Sequence, residues 1–255
     1  MWDSKVLAGR RENLVDIHLS NVYKSFDKKT VIRDLTFIVT SGETICLLGP
    51  SGSGKTTIIR LLIGAIAADS GNITMSGENV PSRKLLHKIG FMPQNDALYD
   101  DLSGEDNLRF FAELQGMKKS VIGARISETL TLVDLTDDRE KAVRHYSGGM
   151  KKRLSLAVAL VHEPEVLLLD EPTVGIDPVL RRAVWDELHK LGQAGKTILV
   201  STHVMDEVAQ CEKAALIYNG SLIEYDTVEK LLAKTGGKIE ELFFVAAKTE
   251  GGAAV

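Results

Sequence analysis

Residues 43–62 read ETICLLGPSGSGKTTIIRLL, and this stretch restricts the possible folds more than any other in the chain. A continuous apolar run, the pattern G-x-x-x-x-G-K-T from Gly49 to Thr56, and a helical pattern follow one another without a gap. Such a loop has its meaning between a buried strand and a helix. Gly49, Gly52 and Gly54 let the backbone curl so that its N–H groups converge on phosphate oxygens. The start of the following helix adds favourable partial charge. Pro50, Ser51, Ser53 and Thr57 complete the loop. In this reading Lys55 reaches the β and γ phosphates of a nucleoside triphosphate, and the Thr56 hydroxyl holds Mg²⁺. The stretch calls for an α/β core and a triphosphate ligand.

The rest of the chain agrees with such a core. IHLSNVY, LTFIVTS and NITMSG alternate with period 2 and read as strands. ETICLLG, EVLLLD and KTILVST are more continuously apolar, as strands buried on both faces are. AALIYNGSLIEYD reads as a hairpin turning at Asn219-Gly220. Helical patterns run through KTTIIRLLIGAI, GEDNLRFFAELQG, VIGARISETLTLVDL, GMKKRLSLAVALV and PVLRRAVWDELHKLG. From about Asp101 to Val161 there are helical patterns and no good strand, so a helical insertion is expected there. One domain is expected over residues 15–240, with an N-terminal extension at 1–14 and a tail at 241–255 whose end, KTEGGAAV, is small and polar enough to fray.

Bulk properties exclude several roles. A net charge of −4 argues against a chain that coats nucleic acid. No apolar run approaches the roughly 20 residues that span a bilayer, and MWDSKVLAGRREN lacks the apolar centre of a secretory signal. Cys46 and Cys211 match no metal or redox spacing, and a cytosolic chain is expected.

Further polar positions gather around strand ends. Leu167 to Leu169 deliver Asp170 and Glu171 where open α/β sheets place ligands. Adjacent carboxylates can divide labour: Asp170 holds Mg²⁺ and Glu171 polarises the attacking water. Gln94, in FMPQND, can touch the metal shell and that water with a neutral amide, though by itself it reads more readily as a loop residue. His203 ends TILVSTH within reach of a γ-phosphate; alone it is equally well a structural histidine. Tyr23 and Phe26 both offer a ring for adenine, and spacing separates neither from the other nor from core packing.

A second glycine loop stands in HYSGGMKKRL. The helix after it carries Leu154, Leu156, Ala157, Leu160 and Val161 along one side, which packs its body. Its start is left to present Ser147, Gly148 and Gly149 to an anion. Two chains set head to tail would each close the other's phosphate site with this loop. The basic run Lys151, Lys152 and Arg153 reads as the polar face of the helix.

Taken together, these residues resemble the nucleotide-binding subunit of ATP-binding-cassette (ABC) transporters, over about Val15 to Phe244. GPSGSGKTT resembles its P-loop, MPQ its glutamine loop, YSGGM its signature, LLLDEP with VGID its acidic strand and aspartate loop, and STH its histidine switch. The resemblance implies a RecA-like P-loop NTPase core with an antiparallel β subdomain and an inserted α-helical subdomain. It implies ATP and Mg²⁺ as ligands, with Thr56, Gln94 and Asp170 at the metal. It puts Glu171, Gln94 and His203 in catalysis, Ser147 to Gly149 on the γ-phosphate held by a second ATP-binding subunit, and Asp177 at the seam. It selects Phe26 over Tyr23 for adenine, where tyrosine is more usual. Tyr146 and Met150 replace the common leucine and glutamine of the signature; Met150 gives up an amide hydrogen bond of about 1 kcal/mol. Integral membrane permease subunits are the implied partners, at the cytoplasmic face of the membrane. YSGGMKKRLSLAVALVHEPEVLLLDEPTVGIDP and KIEELFF look most like the exporter branch with separate membrane subunits. An importer ATPase, or a soluble ABC ATPase without a transport role, is the alternative.

Overall fold

The computed structural model describes residues 15–251, with side chains through Lys248. The extension read at 1–14 and the last four residues of the tail lie outside the described residues. In β1 (Ile17–Phe26) and β2 (Lys29–Val39), Ile17, Leu19, Leu35, Phe37 and Val39 point inward between exposed neighbours. That alternation belongs to an antiparallel sheet with one wet face. The two strands join at Asp27 and Lys28, with φ of 46° and 70°, a two-residue turn whose twist matches its flanks. This turn starts β2 at Lys29, well before the LTFIVTS segment. With β4 (Ser70–Met75) and β5 (Glu78–Asn79) they form a four-stranded antiparallel sheet, β2-β1-β4-β5.

The second sheet contains β3 (Thr44–Leu48), β6 (Ile89–Met92), β7 (Val166–Asp170), β8 (Thr197–Thr202), β9 (Lys213–Tyr218) and β10 (Ser221–Thr227). Its order is β10-β9-β3-β8-β7-β6; five strands run parallel, and β10 returns antiparallel through the Asn219-Gly220 turn. Every residue of β3, β7 and β8 is buried because both faces are covered. Ile45, Leu47, Val166, Leu168 and Leu199 pack with α1 (Lys55–Leu62) and the inner face of the antiparallel sheet. Their neighbours Cys46, Leu48, Leu167, Leu169, Ile198 and Val200 face a core built from the remaining helices.

A short helix α2 (Arg83–Leu86) precedes β6. Within 101–161 lie α3 (Gly104–Leu114), α4 (Lys119–Leu132), a 3₁₀ turn at Val143–His145 and α5 (Gly148–Leu160), with only an isolated bridge, Ser103 to Ala142, among the described residues. After β7 comes α6 (Pro178–Gln193). Helix α1 stops at Leu62 rather than running on through Ile66. Gly64 turns out at φ +74°, and a Cβ there would lie 2.6 Å from that of Pro81, so the chain leaves the helix where Pro81 packs. At the other end Lys248 lies in the helix Glu241–Gly251.

Candidate functional site

Parallel pairing brings together residues that are far apart in the chain. Strands β3, β8, β7 and β6 are successive neighbours, so their C-terminal ends share one edge at spacings of about 4.8 Å. β3 delivers the loop from Gly49, β8 delivers His203, β7 delivers Asp170 and Glu171, and β6 ends two residues before Gln94.

The loop needs its glycines for two reasons. Gly52 and Gly54 have φ of +79° and +109°, and at Gly49 a Cβ would lie 2.2 Å from the Ile217 carbonyl oxygen of β9. Gly54 caps α1 without a side chain, leaving first-turn N–H groups directed at the loop's concavity. Lys55 is only 5% exposed; its Nζ donates to Gly49 O at 2.6 Å and Pro50 O at 3.0 Å. Burial lowers its pKa, and the Glu171 and Asp170 carboxylates oppose that shift. Ser53 Oγ is buried with no hydrogen-bond partner among the described residues, as suits a donor reserved for a phosphate oxygen. A cavity of about 380 Å³ opens over Ser51, Gly52, Gly54, Lys55, Thr56 and Thr57, and Gln94 and Glu171 face them across it.

Glu171 is held from several sides. Its backbone sits at φ 53°, a conformation costing about 1–3 kcal/mol in a non-glycine residue. Its N–H donates to Ser201 O at 3.2 Å and Ser201 Oγ at 3.1 Å. Gln94 Nε2 donates to its Oε2 at 3.0 Å, and His203 Nδ1 lies 2.9 Å from its Oε1. Ser201 Oγ also donates to Asp170 Oδ1, so one serine positions both acids. Thr56, Gln94 and Asp170 present oxygen donors, the hard type that Mg²⁺ takes, and the set fits that metal.

Other residues singled out in the sequence stand apart. Ser147 caps α5, its Oγ accepting from Met150 N at 3.2 Å, and Ser147 and Gly148 are exposed. Neither they nor Gly149 lines the phosphate cavity of their own chain. Asp177 is exposed and caps α6 through Val179 N and Leu180 N, both at 3.1 Å. Phe26 is 43% and Tyr23 39% exposed, which removes core packing as the role of either ring. The signature's departures serve packing. Tyr146 is buried with its hydroxyl donating to Asp138 O at 2.8 Å, and Met150 packs against the core.

Three residues escaped the sequence reading. Ser201 is one. Buried Glu207 is another, accepting from Thr173 Oγ1 and Thr202 Oγ1; only the polar ending of an apolar strand hinted at either. Lys152 is the third and corrects the reading of a single polar face. Successive helical residues point about 100° apart. Lys151 therefore pairs with Asp100, Arg153 bonds Asp134, and Lys152 turns inward, 8% exposed.

Among the described residues no helix is long and apolar enough to cross a membrane. Residues 32–174 match the family described as ABC transporter. The linearmycin resistance ATP-binding protein of Bacillus subtilis is 36% identical over 245 residues, covering 91% of this chain and 79% of that one. Nod factor export ATP-binding protein I of Paraburkholderia xenovorans is 39% identical over 231 residues, 89% of this chain and 76% of the relative. A solved structure described as the ATP-binding subunit of an ABC transporter superposes with a TM-score of 0.83 at 25% identity, over 91% of this chain and 99% of that one. The chain belongs to the ABC transporter family as an ATP-binding subunit, one of the proteins that hydrolyse ATP to drive transport.

Proposed function

We propose that this chain is the ATPase of an exporter with separate membrane subunits, paired head to tail with a second ATP-binding subunit around two MgATP at the cytoplasmic face. The observation that carries the site reading is the Glu171 carboxylate, bonded by Gln94 and His203 across the cavity from Lys55. In this reading the backbone of Gly49 to Gly54 and the Lys55 ammonium bind the phosphates, while Phe26 stacks on adenine. Glu171 accepts a proton from the attacking water, Gln94 orients that water, and His203 fixes the carboxylate and reaches the γ-phosphate. Mg²⁺, when bound, would be held by Thr56, Gln94 and Asp170 and neutralises phosphate charge. Ser147, Gly148 and Asp177, exposed away from their own cavity, and Gly149 beside them, face the partner's nucleotide.

A groove of about 730 Å³ beside the Gln94 loop supports a membrane partner. It is lined by apolar residues that include Leu98, Phe111 and Leu114. Leu86 (48% exposed) and Leu114 (66% exposed) leave apolar surface open there, enough to receive a short helix of a permease subunit. Export is favoured over import by relatives whose described role is Nod factor export. The test is purification of tagged Glu171→Gln from solubilised membranes with ATP present. A stoichiometric polytopic membrane protein is expected. A soluble partner, or none despite ATP-driven dimers, would keep the ATPase and remove the transporter.

A further inference from the structure

We propose that Lys152 is a positioning residue that ties the helix behind the Ser147 loop to the Glu171 centre of the same chain, so that engagement of one site is felt at the other. The inference rests on the site reading above. A lysine buried to 8% exposure needs partners, and those of Lys152 are informative. Its Nζ donates to Gln94 O at 3.0 Å, and the side chain of that same glutamine donates to Glu171 Oε2 at 3.0 Å. Burial lowers the lysine's pKa, while Asp96, Asp170 and Glu171 favour its charged form.

Lys152 is the fifth residue of α5, a little over one turn behind Gly148. The flanking cations are anchored elsewhere: Lys151 on Asp100, and Arg153 on the Val133 and Asp134 carbonyls. Lys152 alone of the three reaches toward the sheet edge. A shift or rotation of α5, as when Ser147 to Gly149 take hold of a partner's phosphate, carries Nζ with it. The Gln94 carbonyl follows, and with it the amide that orients Glu171. This is a contiguous hydrogen-bonded path of two links between the phosphate-facing loop and the carboxylate.

The test is a double-mutant cycle of Lys152→Met and Gln94→Ala in the full chain, read as kcat for ATP hydrolysis and as MgATP affinity. Each single variant is expected to lose about tenfold in kcat, Lys152→Met with MgATP affinity within about twofold, and the double variant to lose no more kcat than the worse single. Losses that multiply overturn the proposal, as does a Lys152→Met defect confined to nucleotide affinity. Should Lys152→Met lose its cooperative thermal transition, Lys152→Arg replaces it. That variant keeps cation and donor and should hold kcat within about threefold; a deeper loss with intact MgATP binding overturns the idea. Glu171→Gln separates the two levels. If it still turns over normally, the site reading falls and this proposal with it; if it is inactive while the cycle is additive, only the role of Lys152 falls.

Discussion

At Gly49 an added Cβ would lie 2.2 Å from the carbonyl oxygen of Ile217, whereas at Gly148 it would meet nothing within 4 Å. Both glycines belong to short loops that open a helix, at Gly49–Thr57 and Ser147–Gly149, and both loops have the small residues and free N–H groups that suit an anion. The first is wedged between β9 and β2 and roofed by Gln94 and Glu171 of its own chain. The second projects outward, its serine occupied in capping its own helix. The difference teaches that a phosphate-binding loop is a local device, while a phosphate-binding site requires something opposite the loop. For the first loop the sheet supplies it. For the second, a second subunit is the proposed source.

The sharpest way to break this comparison is at the roof of the first loop. Glu171→Gln should slow turnover by about 10³-fold and leave ATP bound, measured as single-turnover hydrolysis against nucleotide affinity. Near-normal turnover would remove Glu171 as the base. Next is the contrast between the glycines. Gly49→Ala should cost about 3 kcal/mol of stability, because the clash is with backbone that cannot step aside, while Gly148→Ala should cost under about 1 kcal/mol. Chemical denaturation of the two proteins checks this, and equal losses would deny that the loops differ in their surroundings. Ser147→Arg should reduce hydrolysis by about 100-fold while leaving nucleotide binding by the single subunit unchanged. Unimpaired hydrolysis would mean that the second loop faces no nucleotide. The smallest effect is expected from Met150→Gln, which restores a polar side chain where a thioether packs on the core. It should change stability by about 1 kcal/mol and hydrolysis by less than about threefold.

Much of the site is local in sequence, and there the reading was strong. Gly49 to Thr57 are a loop and the first turn of the helix it opens, and Asp170 and Glu171 stand at the end of an apolar strand, so periodicity and motif suffice to place them. Gln94 and His203 were ambiguous by themselves, because their meaning comes from meeting at one carboxylate 77 and 32 residues away. Burial decided other cases. Two equally plausible rings, Tyr23 and Phe26, are both exposed, and a run of three cations splits into two surface anchors and one buried lysine. Helix α1 shows the limit of periodicity. IGAI continues the helical pattern after Leu62, yet a distant proline packs against Gly64 and turns the chain away.

The sequence by itself determined the chemistry of the phosphate loop, the paired acids, the alternation of strands and helices, and the existence of a second glycine loop. Each of these is written within one strand, turn or helix, whose preferences are set by residues a few positions apart. Only the tertiary structure decided which strand ends are neighbours, that Ser201 braces both acids, that Lys152 points inward, and that the second loop faces away from its own cavity. These depend on the strand order β3-β8-β7-β6 and on the direction each helix takes over the sheet. Both are settled by the joint burial of two sheet faces, which no single segment encodes.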